Sequence, residues 1–147
     1  MEQKPYIRTV QYYETDKMGI VHHSNYIRWF EESRIDLMDQ MEAGYKALED
    51  SGILIPVLSV SCTYKAMVHF GERVAILPRV VEYTGVRLRL TYTVTRVEDG
   101  ILCTVGESSH CFITESGRPV SLKKANPQYH AAFLAALEIG RAGDAAE

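Results

Sequence analysis

One long amphipathic segment is followed by a continuous series of strand-like segments, and this order limits the folds open to the chain. Between residues 26 and 41 the apolar side chains recur at helical spacing, with charged residues on the opposite side. Across residues 53–114 the apolar and polar residues mostly alternate, as in half-buried strands. Such strands need a cover for their apolar face, and the long helix must supply it. The pattern predicts an α+β fold in which an antiparallel sheet wraps around one long central helix.

Turns and periodicity also place the individual elements. A strand is predicted at residues 6–13, and Ser24 is the expected N-cap of the long helix because its hydroxyl can accept a hydrogen bond from a free backbone amide. A short helix is expected at residues 45–50. Pro78 cannot donate a ladder hydrogen bond, so its strand is expected to have an edge or a bulge there. The long strands are predicted at residues 58–66, 74–84, 87–94 and 101–114.

The length of the chain and its last segment define the domain organisation. The 147 residues are enough for one domain with a real hydrophobic core, and no repeat or linker is visible. We therefore predict a single domain over residues 1–138. The sequence predicts a short terminal helix at residues 126–137. It also predicts a disordered tail at residues 139–147, which include Gly140.

Charge and cysteine content argue against several classes of protein. The net charge of −3 gives no sign of a nucleic-acid-binding protein, so an anionic ligand must meet a local positive cluster. The three cysteines form no CxxC pair and suit a reduced compartment. The first five residues lack the features of a signal peptide, and no apolar run approaches the ~20 residues needed to cross a bilayer. These features predict a cytoplasmic protein without membrane or nucleic-acid partners.

The stretch that carries chemistry lies between the first strand and the long helix, at residues 13–26. Asp16 stands just before the helix, and Gly19 allows the chain to turn tightly between them. A helix N-terminus offers unpaired N–H groups and a partial positive charge, which can hold the oxyanion formed when a carbonyl is attacked. A carboxylate beside it can attack the carbonyl or activate a water molecule. The pattern indicates cleavage of an ester-like bond.

The pattern Thr-Asp-x-Met-Gly-x-Val-His-His-Ser-Asn-Tyr at residues 15–26 resembles that of the 4-hydroxybenzoyl-CoA-type acyl-CoA thioesterases. The order of strand, helix and strands extends this resemblance over roughly residues 6–129. The resemblance implies a hotdog fold, hydrolysis of an acyl-CoA substrate to a carboxylic acid and free CoA, and no metal or organic cofactor. It also implies a homodimer with joined sheets and active sites at the interface, often assembled further into a homotetramer.

The resemblance also assigns roles to residues of the motif. The family's catalytic aspartate falls on Asp16, and the backbone N–H that polarises the thioester carbonyl falls at or beside His23. Tyr26 matches a tyrosine that lines the acyl pocket. Many relatives carry a different aromatic or polar residue where this chain has His22, and acyl specificity follows such choices. Together with Tyr26, the residues expected to contact the substrate are His22, Gly19 and Val21.

The phosphates of CoA require positive charge, which the motif itself does not supply. Charge and loop position favour four residues further along the chain as phosphate contacts. The alternative for Arg87 and Arg89 is that they belong to the solvated face of a strand. The four candidates are Arg87, Arg89, Lys123 and Lys124.

Other interpretations of the motif stay open. Asp16 can be a simple turn residue, since Thr-Asp is common before a helix. A hotdog hydratase or dehydratase would use Asp16 with His22 or His23 as an acid–histidine pair, whereas an acyl-CoA-binding module would bind CoA esters without turnover. The identity of the acyl group and the choice between CoA and acyl carrier protein are open as well. The sequence also leaves open whether Asp16 acts as a general base or as a nucleophile.

Two further patterns do not support a site. The acidic and histidine residues of the motif lack a ligand spacing such as HExxH, so no metal site is predicted there. Residues 106–110 nearly match a nucleophile elbow, but His110 replaces the second glycine. They also lie inside a strand pattern and not at a strand-to-helix turn, which argues against a serine hydrolase.

Overall fold

The computed structural model describes residues 2–41 and 44–146, which form eleven helices and strands and one short 3-10 turn. The predicted elements follow one another in the expected order, and two short strands, β2 and β7, and the short helix α3 are added to them. In chain order they are β1 (Tyr6–Thr9), α1 (Ser24–Gln40), α2 (Tyr45–Asp50), β2 (Ile53–Leu54), β3 (Val57–Tyr64), β4 (Arg73–Tyr83), β5 (Arg87–Arg96), β6 (Leu102–Cys111), β7 (Ile113–Thr114), α3 (Leu122–Ala125) and α4 (Pro127–Ala146).

Five strands form one antiparallel sheet in the order β1-β4-β5-β6-β3. The α+β prediction is therefore confirmed, and the four long strands lie close to their expected positions. Pro78 lies beyond the end of the β1 ladder, which stops at Ile76, so β4 is an edge on that side as expected. A small second sheet joins β2 and β7.

Helix α1 packs its apolar side against the inner face of the sheet. Phe30 stacks on Tyr92 of β5 with ring centroids 4.2 Å apart and planes 9° apart. Gly106 of β6 makes room for this stack, because a Cβ there would lie 2.3 Å from the Phe30 ring. Ser33 is also completely buried, so its small side chain permits the close approach expected from the sequence. The buried side of α1 consists of Asn25, Tyr26, Trp29, Phe30, Ser33, Leu37 and Met38.

The end of the chain differs from the prediction. Helix α4 continues to Ala146, so the expected disordered tail is helical through residues 139–146, and Glu147 lies outside the described residues. Gly140 was expected in that tail, beyond the end of the helix. Instead it is buried where α4 crosses β4, and a Cβ there would lie 2.2 Å from the Val80 carbonyl oxygen. The missing side chain therefore allows α4 to pack closely on β4, and it does not end the helix.

The start of α1 also differs from the prediction. The N-cap position is His23, and no side chain caps the helix. Ser24, the expected cap, is the first helical residue, and its hydroxyl lies 2.8 Å from Nδ1 of the His22 ring. The first strand is shorter than expected, because the chain leaves β1 after Thr9 and forms a 3-10 turn at Tyr12–Glu14. Among the described helices, none is both long and apolar enough to span a membrane.

Candidate active site

A tight turn before α1 holds the Asp16 side chain. The Asp16 N–H donates to the Ile20 carbonyl over 2.8 Å, and the Gly19 N–H donates to the Asp16 carbonyl over 3.0 Å. Gly19 has φ +76°, a conformation that strongly favours glycine. The Asp16 Oδ1 atom accepts the Met18 N–H at 2.8 Å, whereas no described residue hydrogen-bonds to Oδ2. One carboxylate oxygen therefore maintains the turn and the other is free for chemistry.

The half-buried Asp16 lies in the wall of a pocket of about 340 Å³. The structure brings Asp16 together with Val21, His23 and Tyr26 in this wall, as the motif predicted for a site. Gly19 and His22, also expected at the substrate, do not line it. The other lining residues are Met18, Ile20, Tyr64, Lys65, Ala66, Met67 and Val68.

The first turn of α1 presents backbone donors beside this pocket. No acceptor within residues 2–41 and 44–146 takes the backbone N–H of His23. The His23 carbonyl accepts the Tyr64 hydroxyl at 3.1 Å, which links the helix start to β3. The His22 and His23 rings stack 4.1 Å apart. A free N–H at the positive end of a 17-residue helix is suited to a developing oxyanion.

Tyr26 supplies a neutral aromatic wall. Its side chain is buried one helical turn into α1, and its ring centroid lies 5.3 Å from that of Tyr64. Burial raises the pKa of Tyr26 to about 12, because the phenolate would lose its hydration. The hydroxyl therefore stays protonated at physiological pH, and Tyr26 is not a general base.

Glu14 connects the Asp16 turn to α1 and was not recognised as a functional residue from the sequence. Its carboxylate is buried and accepts the Gln11 N–H and the Trp29 indole N–H, each at 2.8 Å, and it pairs with Arg8 at 3.0 Å. Its backbone carbonyl accepts the His22 N–H and the Asn25 side-chain N–H, both at 2.8 Å. The Glu14 side chain and backbone therefore position both ends of the motif.

The sequence contains a pattern that could have identified Glu14 as part of a buried ion pair. Arg8 and Glu14 share the same side of the predicted strand at residues 6–13 when its period of two is continued. Opposite charges on one otherwise apolar side indicate a buried pair. Tyr64 and Lys65 carried no comparable signal, because they reach the pocket from a distant strand.

The four expected phosphate contacts do not lie beside Asp16 in the same chain. Arg87 is seven residues before Val94, and Val94 pairs with Thr104, the strand partner of Tyr64. That places Arg87 about 23 Å along β5 from the pocket end of the sheet. Lys123 and Lys124 lie near Arg87, since the N–H of neighbouring Leu122 donates to the Gly85 carbonyl.

Arg89 is engaged in ion pairs on the sheet surface. Its guanidinium lies 2.9 Å from Glu107 and 3.3 Å from Glu82. The hydrogen bond to Glu107 contributes most to the raised pKa of Arg89. The positive charge that does line the Asp16 pocket belongs to Lys65, which the sequence did not single out.

A test of the turn uses Gly19→Ala. We expect a loss of about 1 kcal/mol in the free energy of unfolding, because an L side chain is strained at this φ although no atom lies within 4 Å of the new methyl. Activity should fall as well, because the turn positions Asp16. The matched control is Gly117→Ala, which has φ +87° and the same open surroundings in a remote turn. Denaturant unfolding and thiol-release assays of both variants check this, and equal activity in the two would contradict it.

Comparison with known proteins adds several findings. The sequence profile of the thioesterase-like superfamily matches residues 10–137. The Bacillus subtilis protein named "Putative acyl-CoA thioesterase YneP" is 35% identical over 125 residues, which cover 84% of this chain and 90% of that protein. The structure of a DHNA-CoA thioesterase from Staphylococcus aureus matches with a TM-score of 0.88 at 30% identity, covering 95% of this chain and 94% of that chain. A 1,4-dihydroxy-2-naphthoyl-CoA hydrolase from Thermosynechococcus vestitus is 24% identical over 108 residues, 73% of each chain.

Proposed function

This chain belongs to the thioesterase-like superfamily, and we propose that it is a thioester hydrolase that converts an acyl-CoA and water to a carboxylic acid and free CoA. The observation that carries the proposal is the geometry around Asp16. One oxygen of its carboxylate is free, and it shares a pocket with the unpaired N–H at the start of α1. A carboxylate and an oxyanion-binding donor are the two parts that thioester cleavage needs.

In the proposed reaction the thioester carbonyl oxygen accepts the His23 N–H. The positive end of α1 then stabilises the negative charge that develops on this oxygen. Asp16 acts as a general base that removes a proton from water, whose oxygen bonds to the carbonyl carbon. Alternatively, Asp16 attacks this carbon itself, and water hydrolyses the resulting mixed anhydride. In both routes the carbon–sulfur bond breaks and the CoA thiolate leaves and takes up a proton.

We further propose that the acyl group is aromatic. Tyr26 and Tyr64 offer two neighbouring rings in the pocket wall, and aromatic groups pair favourably with such rings. The similarity to a DHNA-CoA thioesterase and to a 1,4-dihydroxy-2-naphthoyl-CoA hydrolase supports the same class of substrate. The three free cysteines support a cytoplasmic location, where thiols stay reduced.

Thiol release from a panel of aromatic and aliphatic acyl-CoAs tests this function. We expect turnover of at least one ester and the highest kcat/KM for an aromatic acyl group. Binding of CoA esters without any thiol release would instead support the acyl-CoA-binding module. Addition of water to an enoyl-CoA without thiol release would support the hydratase. Faster cleavage of the same acyl group on acyl carrier protein would change the carrier but not the reaction.

We infer that a second copy of the chain pairs with strand β3. This strand is at the edge of the sheet, and all of its residues except Cys62 are exposed. Two copies of β3 can pair antiparallel across a twofold axis and form one continuous sheet. Because Tyr64 and Lys65 lie at the end of β3, this dimer would place the Asp16 pockets at the interface. The phosphate contacts predicted at residues 87, 89, 123 and 124 then belong to a neighbouring copy, and further assembly into a tetramer stays a prediction.

Val60→Lys tests the proposed dimer. Val60 is near the middle of β3 and 37% exposed, so the two new lysines would face each other across the twofold axis. We expect the variant to be monomeric in light scattering at concentrations where the wild type is a dimer or tetramer. The control is Val97→Lys, which changes an equally exposed valine, also 37%, outside the strands. An unchanged assembly state in Val60→Lys would contradict the β3 interface.

A further inference from the structure

A second cavity lies under the other half of α1. Its volume is about 130 Å³, and it shares no lining residue with the Asp16 pocket. Tyr26 and Arg34 line different cavities and are eight residues apart on α1, or about 12 Å along the helix. Phe30, stacked on Tyr92, lies between them on the same helix. The interior beneath α1 therefore contains two separate spaces.

Arg34 is the positively charged group of this second cavity, and it has an unusual set of partners. Its side chain is half-buried, and Nη1 donates to the Tyr92 hydroxyl at 3.0 Å. None of the carboxylates in residues 2–41 and 44–146 forms an ion pair with it. A guanidinium group removed from water usually has a carboxylate partner, because an uncompensated charge is costly there. The remaining N–H groups of Arg34 are available to an anion.

A buried hydrogen-bond chain continues from Arg34 to His110. The Tyr92 hydroxyl lies 2.6 Å from the Ser108 hydroxyl, which lies 2.8 Å from Nε2 of His110. Arg34 can only donate, so the Tyr92 hydroxyl accepts from it, and either member of each following pair can be the donor. Burial, and then the charge of Arg34, lowers the pKa of His110 to about 4, although the Pro56 carbonyl favours the protonated ring. The His110 ring is therefore neutral at physiological pH.

The Nδ1 atom of His110 completes the polar side of the cavity. It is fully buried, and the His110 ring interacts with the Pro56 carbonyl, although not at strict hydrogen-bond geometry. His110 itself is only 1% exposed and lines the cavity. Arg34 and His110 thus form the polar side of a cavity whose other walls are mostly apolar.

We propose that this cavity is a second ligand site, which binds the anion of a small hydrophobic carboxylic acid. The carboxylate accepts from Arg34, and the apolar part packs among the aliphatic and aromatic side chains of the wall. An apolar cavity of about 150 Å³ is large enough for benzene, so the space here suits one ring or a short branched chain. The apolar wall includes Leu37, Met38, Leu48, Leu88, Leu90 and Phe133.

The rim of the cavity is compatible with an anion. Glu31 and Glu49 line it there, but both are exposed, and water and salt screen their repulsion. Inside, the carboxylate would form a charge-assisted hydrogen bond, which is stronger than a bond between neutral groups. The proposed ligand belongs to the same chemical class as the acid product of the proposed reaction. The site does not depend on that reaction, because its evidence is independent of Asp16.

Calorimetric titration with benzoate tests the site, with benzyl alcohol as a neutral probe of similar shape. We expect the wild type to bind benzoate at least about tenfold more tightly than benzyl alcohol, because only the carboxylate accepts from the charged guanidinium. Arg34→Met should weaken benzoate binding by a similar factor. Arg28→Met, which removes an exposed arginine from the same helix, should leave it unchanged. Equal affinities of the wild type and Arg34→Met would overturn the proposal.

Two further measurements separate this site from effects on folding or on the catalytic pocket. Leu54→Trp enlarges a residue that is 42% exposed and lines the cavity, so it should block benzoate while Arg34 stays in place. If Arg34→Met does not fold, unchanged benzoate affinity in Leu54→Trp overturns the proposal. Asp16→Asn and added free CoA should leave benzoate binding unchanged. Displacement of benzoate by CoA would assign it to the Asp16 pocket and would also contradict the proposal, whatever the outcome of the thiol-release assay.

Discussion

Replacing Asp16 by asparagine should lower kcat for thioester cleavage by roughly a thousandfold, the scale of general-base catalysis. The amide oxygen of asparagine can still accept the Met18 N–H, so the turn before α1 is preserved. What is lost is the free carboxylate oxygen that removes a proton from water or attacks the carbonyl. Thiol release from the best acyl-CoA of the panel measures this effect. KM should change little, because the pocket keeps its shape.

The control for this variant is Asp50→Asn, at the end of α2, outside the Asp16 pocket. It makes the same chemical change on an exposed aspartate, and its kcat should equal that of the wild type. If Asp16→Asn keeps activity within about threefold of the wild type, Asp16 is a turn residue and the proposed mechanism is wrong.

Replacing Glu14 by alanine should lower the free energy of unfolding by about 3 kcal/mol. Removal of one partner from a buried ion pair costs on this scale, because the other charge and its hydrogen-bond donors lose their acceptor. Here the lost acceptor serves Arg8, the Trp29 indole N–H and the Gln11 N–H. Urea unfolding at neutral pH measures the change. Activity should also decline, because the Glu14 carboxylate holds the segment before Asp16 against Trp29 of α1.

Glu82→Ala is the matched control for Glu14→Ala. It also removes a glutamate paired with an arginine, but the Glu82 side chain is 50% exposed whereas that of Glu14 is 3% exposed. An exposed pair contributes little, so we expect a loss below about 1 kcal/mol. Similar losses in the two variants would show that burial does not decide the strength of these pairs. The positioning role of Glu14 would then lose its support.

Most of the architecture could be predicted from the sequence, because it depends on local periodicity. The period of two defined the long strands, and the helical period defined α1, whose apolar side faces the sheet. The superfamily membership and the hotdog arrangement implied by the motif are confirmed. The end of α4 lies further along the chain than expected, because Gly140, of a type that often ends helices, packs on the Val80 carbonyl of a distant strand. Such a close approach leaves no local signal.

The same distinction applies to the site. Asp16, His23 and Tyr26 were predictable because they share one short motif, and the structure places all three in one pocket wall. Tyr64 reaches the His23 carbonyl from 41 residues away, so its contribution required the strand order of the sheet. The expected phosphate contacts were chosen by charge and loop position, and neither indicates how far a residue lies from the pocket in the folded chain. Their role stays a prediction.

The exposed edge formed by β3 has a consequence for how the protein behaves during synthesis and storage. Edge strands in stable monomers are usually protected by charges or prolines, but β3 contains neither between Val57 and Tyr64. Before it finds a second copy, such an edge can add to other strands and begin aggregation. If the second copy covers it, the melting temperature will rise with protein concentration, because association stabilises the folded chain by mass action. Dilution, more than heat alone, would then be the condition that this protein tolerates least.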